Sequence, residues 1–174
     1  MPKDLTPASK GLYFEEFEPG LTLTSPGRTI TETDVVAFAA LTGDWTRIHT
    51  DAVYAAGHPL GQRVAHGLLG MSIAVALAMR LGFLEESVLA FREISDWKFS
   101  QPIHLGDTIH MRGVVTETKR VPRLGGGLVT LEVEIINQKE EVTQRGKWGF
   151  LVKSSLLSPR AIIFSSTNEE HHAS

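Results

Sequence analysis

Between Leu41 and Ser72 the chain reads LTGDWTRIHTDAVYAAGHPLGQRVAHGLLGMS, so Asp44, His49, His66 and a glycine that opens an apolar run fall close together. Asp44 and His49 are five positions apart. An α-helix turns ~100° per residue, so five steps would set the two side chains on different faces; they meet only if the segment is a loop. Leu41-Thr42-Gly43 supports a loop, because a glycine after an apolar periodic run is a common helix stop. An Asp and a His that converge in an apolar cleft form an acid/base pair, since burial and mutual charge bring both pKa values toward the working pH. The plainer alternative is an Asp44 that shapes a turn and a His49 that is a satisfied, half-buried polar group.

Ala65-His66-Gly67 leads into GLLGMSIAVALAMRLGF, residues 67–83, where Arg80 is the one charge. A helix apolar on nearly every side must be surrounded by protein or lipid. At 1.5 Å per residue this run spans ~26 Å, short of a comfortable membrane crossing, and the arginine and glycines weaken that reading further. The sequence therefore predicts a buried central helix. Its first N–H groups have no intrahelical partner and lie at the positive end of the dipole, so Gly67 offers a place for a developing oxyanion and lets a ligand carbonyl come close to the backbone.

TGDxxxxHTD, then AHGLLxxS, then FxxPIxxGD at Phe99–Asp107, resemble the MaoC-like acyl-CoA dehydratases, the hot-dog-fold group that includes the R-specific enoyl-CoA hydratases. The resemblance runs from about Tyr13 to about Lys153. It implies that Asp44 and His49 hold a water and move its protons, that Gly67 gives a backbone donor to the thioester carbonyl, and that Ser72 lies beside the acyl end. It also implies a dimer. Where the family pattern has Asn-Pro, this chain has Thr46-Arg47 preceded by Trp45, so the substrate preference of commonly studied members does not carry over.

The remaining candidates have competing structural roles. Ser72 either orients substrate or packs the helix. His66, just before the helix, either contacts coenzyme A or the loop, or is structural, and it is left out of the catalytic set. Trp45 either walls an acyl pocket or fills the core. A metal site from His49, Asp51 and His66 is conceivable, but Asp51 has the simpler task of capping a short helix, and no metal is expected. His58 sits in a Gly/Pro loop and is expected at the surface. His104 and His110 are expected on sheet faces, and His171 and His172 in a tail.

Around these residues the elements are legible. Residues 1–11 read as a polar arm, and a first strand is expected around Leu21–Ile30. Thr31-Glu32-Thr33-Asp34 starts a capped helix that turns Val35, Phe38, Ala39 and Leu41 toward the core. Val88–Phe99 reads as a long or bulged strand, IHMRGVVTETK and LVTLEVEIINQ alternate apolar with polar residues, and VTQRGKWGFLVKS is the last strand. Leu124-Gly125-Gly126-Gly127 lacks the lysine and following helix of a phosphate loop and reads as a flexible hairpin tip. One long apolar helix followed by antiparallel strands packs most economically with the sheet curled around it: an α+β hot-dog fold over residues 12–155, with a tail at 156–174. The exposed edge of such a sheet calls for a two-fold partner, and a homodimer or higher homo-oligomer is expected.

With 174 residues and 42% hydrophobic content, one core is well supplied. A net charge of −3 gives no electrostatic reason to expect nucleic acid or an anionic membrane as partner. The absence of cysteine rules out disulfides, thiolate metal sites and a cysteine nucleophile. The start MPKDLTPASKG lacks the apolar core of a secretory signal, so the cytoplasm is expected. The reaction implied is reversible hydration of a 2-enoyl thioester, with the acyl-CoA as substrate and no separate cofactor. The other classes open to the fold are a thioesterase and a non-catalytic acyl-thioester binding subunit.

Overall fold

The structure is a computed structural model in which residues 11–157 are described. Residues 1–10 of the expected 1–11 arm and residues 158–174 of the expected 156–174 tail, with the tail histidines His171 and His172, lie outside the described residues.

An antiparallel sheet wraps one helix. The elements are β1 (Thr22–Thr24), β2 (Arg28–Thr29), α1 (Glu32–Thr42), α2 (Arg47–Thr50), α3 (Ala52–Ala56), α4 (Gly67–Met79), β3 (Val88–Phe99), β4 (Thr108–Val121), β5 (Gly126–Ile136) and β6 (Val142–Lys153). The sheet order is β1-β4-β5-β6-β3, with β2 also paired to β4. This is the hot-dog arrangement the sequence predicts, with α4 as the filling. Alternation sets the inner face: Ile109 and Met111 of β4, Val129, Leu131, Val133 and Ile135 of β5, and Trp148, Phe150 and Val152 of β6 are buried in one cluster with Leu69, Ile73, Ala74, Leu77 and Ala78 of α4. Burying each large aliphatic side chain contributes roughly 1.5–3 kcal/mol, so this shared core holds helix to sheet.

Several local expectations are corrected. The single strand expected at Leu21–Ile30 is two short pieces, because Ser25-Pro26-Gly27 intervenes and Pro26 has no N–H for the ladder. Leu41 is 83% exposed rather than in the core, while Val35 and Ala39 are buried. Six steps from Val35 rotate it about 240° round the helix, off the buried stripe. The central helix stops at Met79, short of Phe83: Gly82 turns the chain at φ 72° and drops Phe83 and Leu84 into the core. Nor is α4 enclosed on all sides, since Leu68, Ser72 and Ala76 form an exposed stripe along it.

The triple glycine is not a loose tip. Gly125 makes the turn at φ 70°, but Gly126 and Gly127 are buried in β5. A Cβ on Gly126 would overlap the Val152 carbonyl, and one on Gly127 would overlap the Phe14 ring. The β3 bulges appear as expected, with register shifts against β6 at Val88/Ala90, Phe91/Glu93 and Ser95/Lys98. Among the described residues no helix is long and apolar enough to cross a membrane.

Candidate active site

The loop that carries Asp44 is built by its flanks. Thr31 and Asp34 form the expected capping box at the start of α1, and Gly43 closes the helix at φ 77°, its N–H donating to the Ala39 carbonyl at 2.8 Å. Asp44 then stands outside any helix, and its Oδ1 accepts from the Thr46 N–H at 3.1 Å and the Thr46 hydroxyl at 2.5 Å. His49 sits on the single turn of α2, which begins only at Arg47, so the angular argument against a continuous helix is met by a loop followed by one helical turn. Asp51 accepts from the Tyr54 N–H at 2.9 Å and caps α3, as its position predicts.

His49 is buried, and its Nδ1 lies 2.8 Å from the Val64 carbonyl. A carbonyl only accepts, so Nδ1 carries the proton and Nε2 is left with a free lone pair. The Val64 strip is itself held in place: Val64 N–H donates to the Ile48 carbonyl at 3.2 Å and Ala65 N–H to the Ile103 carbonyl at 2.7 Å. His66 is 3% exposed; its Nε2 lies 2.9 Å from the Asp44 carbonyl oxygen, and its ring stacks on His49 with centroids 3.8 Å apart. One carboxylate oxygen of Asp44 and one nitrogen from each of these histidines lie within 4.8 Å of one another. The metal trio conceived from sequence is thus replaced by a different one, because the Asp51 carboxylate is engaged at α3 and with Arg47. His66 Nε2 lies on the Asp44 carbonyl, where it must donate, so that nitrogen offers no lone pair to a metal.

The charges differ in sign and cause. Hydrogen bonds from the Thr46 hydroxyl and N–H hold the Asp44 carboxyl below its ordinary value. Burial pushes the His49 imidazole below its ordinary value against the pull of the Val64 bond, with His66 adding to the depression. At neutral pH the pair is a carboxylate beside a neutral imidazole.

His49 and Gly67 line one cavity of about 470 Å³, with Leu60, Val64, Leu68, Phe99 and Ile103 among its walls. Gly67 opens α4, and its N–H has no hydrogen-bond partner among the described residues. A Cβ there would come 2.6 Å from the Phe99 ring, so glycine keeps the mouth open. Gln144 closes the inner end: it is buried, donates from Nε2 to the Gly67 carbonyl at 3.0 Å, and accepts from Trp97 Nε1 at 3.2 Å. The sequence reading missed it. Its signal was parity, since Gln144 shares the inward-facing alternate positions of β6 with Trp148, Phe150 and Val152.

Three expected substrate contacts are not brought to this cavity. Ser72 lies on the open stripe of α4, about 140° round the helix from Gly67, and its hydroxyl donates to the Leu68 carbonyl at 2.8 Å. Trp45 is 54% exposed and neither walls the cavity nor fills the core. His66 points into the protein, with Nε2 engaged on Asp44 and Nδ1 buried, so neither nitrogen faces a ligand. His58 is half-buried rather than fully exposed, its Nδ1 accepting from the Leu60 N–H at 3.3 Å.

Comparison with known proteins gives the family to which this fold belongs. The MaoC-like domain profile matches residues 16–137, and the chain belongs to the MaoC-like dehydratase family. It is 34% identical over 143 residues to Protein MaoC of Klebsiella aerogenes, a match covering 82% of this chain and only 39% of that much longer relative. It is also 34% identical over 113 residues to the 3-hydroxybutyryl-CoA dehydratase of Methylorubrum extorquens, covering 65% of this chain and 69% of the relative. Among solved structures, a monoamine oxidase regulatory protein from Archaeoglobus fulgius superposes with a TM-score of 0.78 at 31% identity, covering 89% of this chain and 99% of that one.

Proposed function

We propose that the chain catalyses reversible addition of water across the double bond of a 2-enoyl thioester of coenzyme A, with Asp44 and His49 as the acid/base pair and the Gly67 N–H as oxyanion donor. The observation that carries this reading is the approach of the Asp44 carboxylate to His49, whose imidazole lines one cavity with the unpartnered Gly67 amide, while Asp44 itself stands outside that lining.

As water attacks the β-carbon, negative charge builds on the thioester oxygen. The Gly67 N–H at the positive end of α4 stabilises it; losing one such donor typically costs about 3 kcal/mol, on the order of a hundredfold in rate. Asp44, ionised, draws a proton from the water, and His49 orients the same water through its bare Nε2. Because Nε2 holds no proton at rest, the proton that His49 returns to the α-carbon is the one Asp44 took from the water, passed from the Asp44 carboxyl to Nε2 before delivery, which restores both groups. The hydroxyl therefore ends on the β-carbon and the displaced proton on the α-carbon, with no net charge left on the pair. Coenzyme A enters only as part of the substrate, and no metal or separate cofactor takes part.

The working unit is a homodimer. Strand β3 is an edge of the sheet, and Leu89, Phe91, Ile94 and Phe99 along it, with Leu68 on α4, are exposed apolar side chains that a second copy would cover.

Incubation with a panel of saturated and 2-unsaturated acyl-CoAs separates the activities of this fold. Loss of enoyl absorbance with no free thiol is expected; free thiol from the saturated compounds would make it a thioesterase and overturn the assignment.

A further inference from the structure

We propose that His66 is a positioning residue that fixes both members of the acid/base pair while touching no substrate itself. The inference rests on the hydratase reading of Asp44 and His49.

His66 is the residue from which three contacts of the site radiate. Its Nε2–H donates to the Asp44 carbonyl at 2.9 Å, pinning the loop between Gly43 and Thr46 that aims the carboxylate. Its ring lies against His49 at 3.8 Å and 28°, setting the plane in which the His49 Nε2 lone pair points. Phe38 of α1 backs it at 5.1 Å, so the ring is held between α1 and His49. It also immediately precedes Gly67, so any shift of His66 moves the start of α4.

Two simpler roles fit less well. A substrate contact needs an accessible nitrogen, and the Nδ1 atom is buried without a partner while Nε2 is occupied. A packing role needs only the ring. Phenylalanine would fill the same space without burying a bare nitrogen, so the donor to Asp44 is the part that packing does not explain. His49 has its tautomer set by Val64 and its plane by His66, and Asp44 has its carboxylate set by Thr46 and its backbone by His66.

Two variants divide the roles. His66→Phe keeps the ring and removes the N–H; His66→Gln keeps an N–H near the Nε2 position and removes the ring. Both are assayed for kcat and KM on whichever 2-enoyl-CoA the wild type hydrates, with thermal melts as the folding check. For His66→Phe we expect kcat to fall about tenfold to hundredfold with KM within about twofold, the pattern of a misplaced pair. His66→Gln should recover part of that loss. A rise in KM at constant kcat, or kcat within about twofold in both variants, overturns the proposal. Nitrogen-15 NMR of the wild-type chain supplies a readout independent of turnover and of variant folding: His66 should appear as the Nε2–H tautomer with a slowly exchanging ring proton. The opposite tautomer, or a freely exchanging proton, also overturns it. Absence of turnover of every enoyl thioester by the wild type would instead count against the proposed function, leaving the NMR result to judge His66.

Discussion

His49 donates its Nδ1–H to the carbonyl of Val64 at 2.8 Å, and that single bond leaves Nε2 as the nitrogen with a free lone pair. A backbone oxygen cannot swap roles, so the tautomer does not depend on a second titrating group.

The pH dependence follows from the directions of the two shifts. The proposed mechanism requires Asp44 ionised and His49 neutral, and both groups lie below their ordinary values. The midpoint of the acid limb of the kcat/KM profile is therefore expected below the ordinary imidazole value of 6.5. Stability moves in the same sense. The unfolded imidazole binds a proton more readily than the buried one, so the contribution of His49 is complete above the unfolded value and is lost as pH falls from there toward the folded value. A rate profile paired with urea melts across that range checks both.

Gly67 makes a steric prediction distinct from its N–H. Alanine keeps the amide but sets a methyl 2.6 Å from the Phe99 ring, a side-chain rather than a backbone neighbour, which can shift. Gly67→Ala should fold with a melting temperature within a few degrees of wild type and lose about tenfold or more in kcat/KM, as the mouth narrows. Unchanged kinetics would show that nothing passes that point.

Gly126→Ala should do the reverse. Its methyl meets the Val152 carbonyl, which is backbone in the adjacent strand and cannot rotate away. A loss of about 3 kcal/mol in denaturant unfolding is expected, at the upper end for overpacking. A small effect would mean that β5 and β6 part easily there.

Glu15 ties the chain entry to the end of the last strand. It accepts from the Ser154 hydroxyl at 2.5 Å, the Ser155 N–H at 3.0 Å and Arg120 at 3.1 Å. Burial raises its pKa, but the bonds from Ser154 and Ser155 outweigh that and hold it at about 2. A carboxyl depressed on folding stabilises above its unfolded value of 4.5, and that contribution is lost as pH falls toward 2. Glu15→Gln should cost about 1–2 kcal/mol at neutral pH. The difference from wild type should shrink in melts run in the acid window.

Much of this was legible because short-range chemistry fixes it. The helix stop at Gly43, the capping box at Thr31, the alternation in β4 and β5, and the positions of Asp44, His49 and Gly67 all follow from spacing and residue type. What stayed hidden depends on direction. Ser72 is in the right helix but on the wrong side, Trp45 turns outward, and His66 turns inward, because rotation about a helix start is set by tertiary contacts. Gly126 and Gly127 looked like flexible residues since the atoms that demand glycine there, in Val152 and Phe14, are remote in sequence. Gln144 was passed over as an ordinary strand residue, although its parity placed a polar group in the inner face.

The central claim is that the Asp44 carboxylate moves the proton of the attacking water. Asn at this position keeps an oxygen for the Thr46 bonds that shape the loop and removes only the charge. Initial rates of enoyl-CoA hydration are therefore compared between wild type and a folded Asp44→Asn variant. The account predicts a fall of about 10² to 10⁴ in kcat; a variant that hydrates the same substrate within about twofold of the wild-type rate would contradict it.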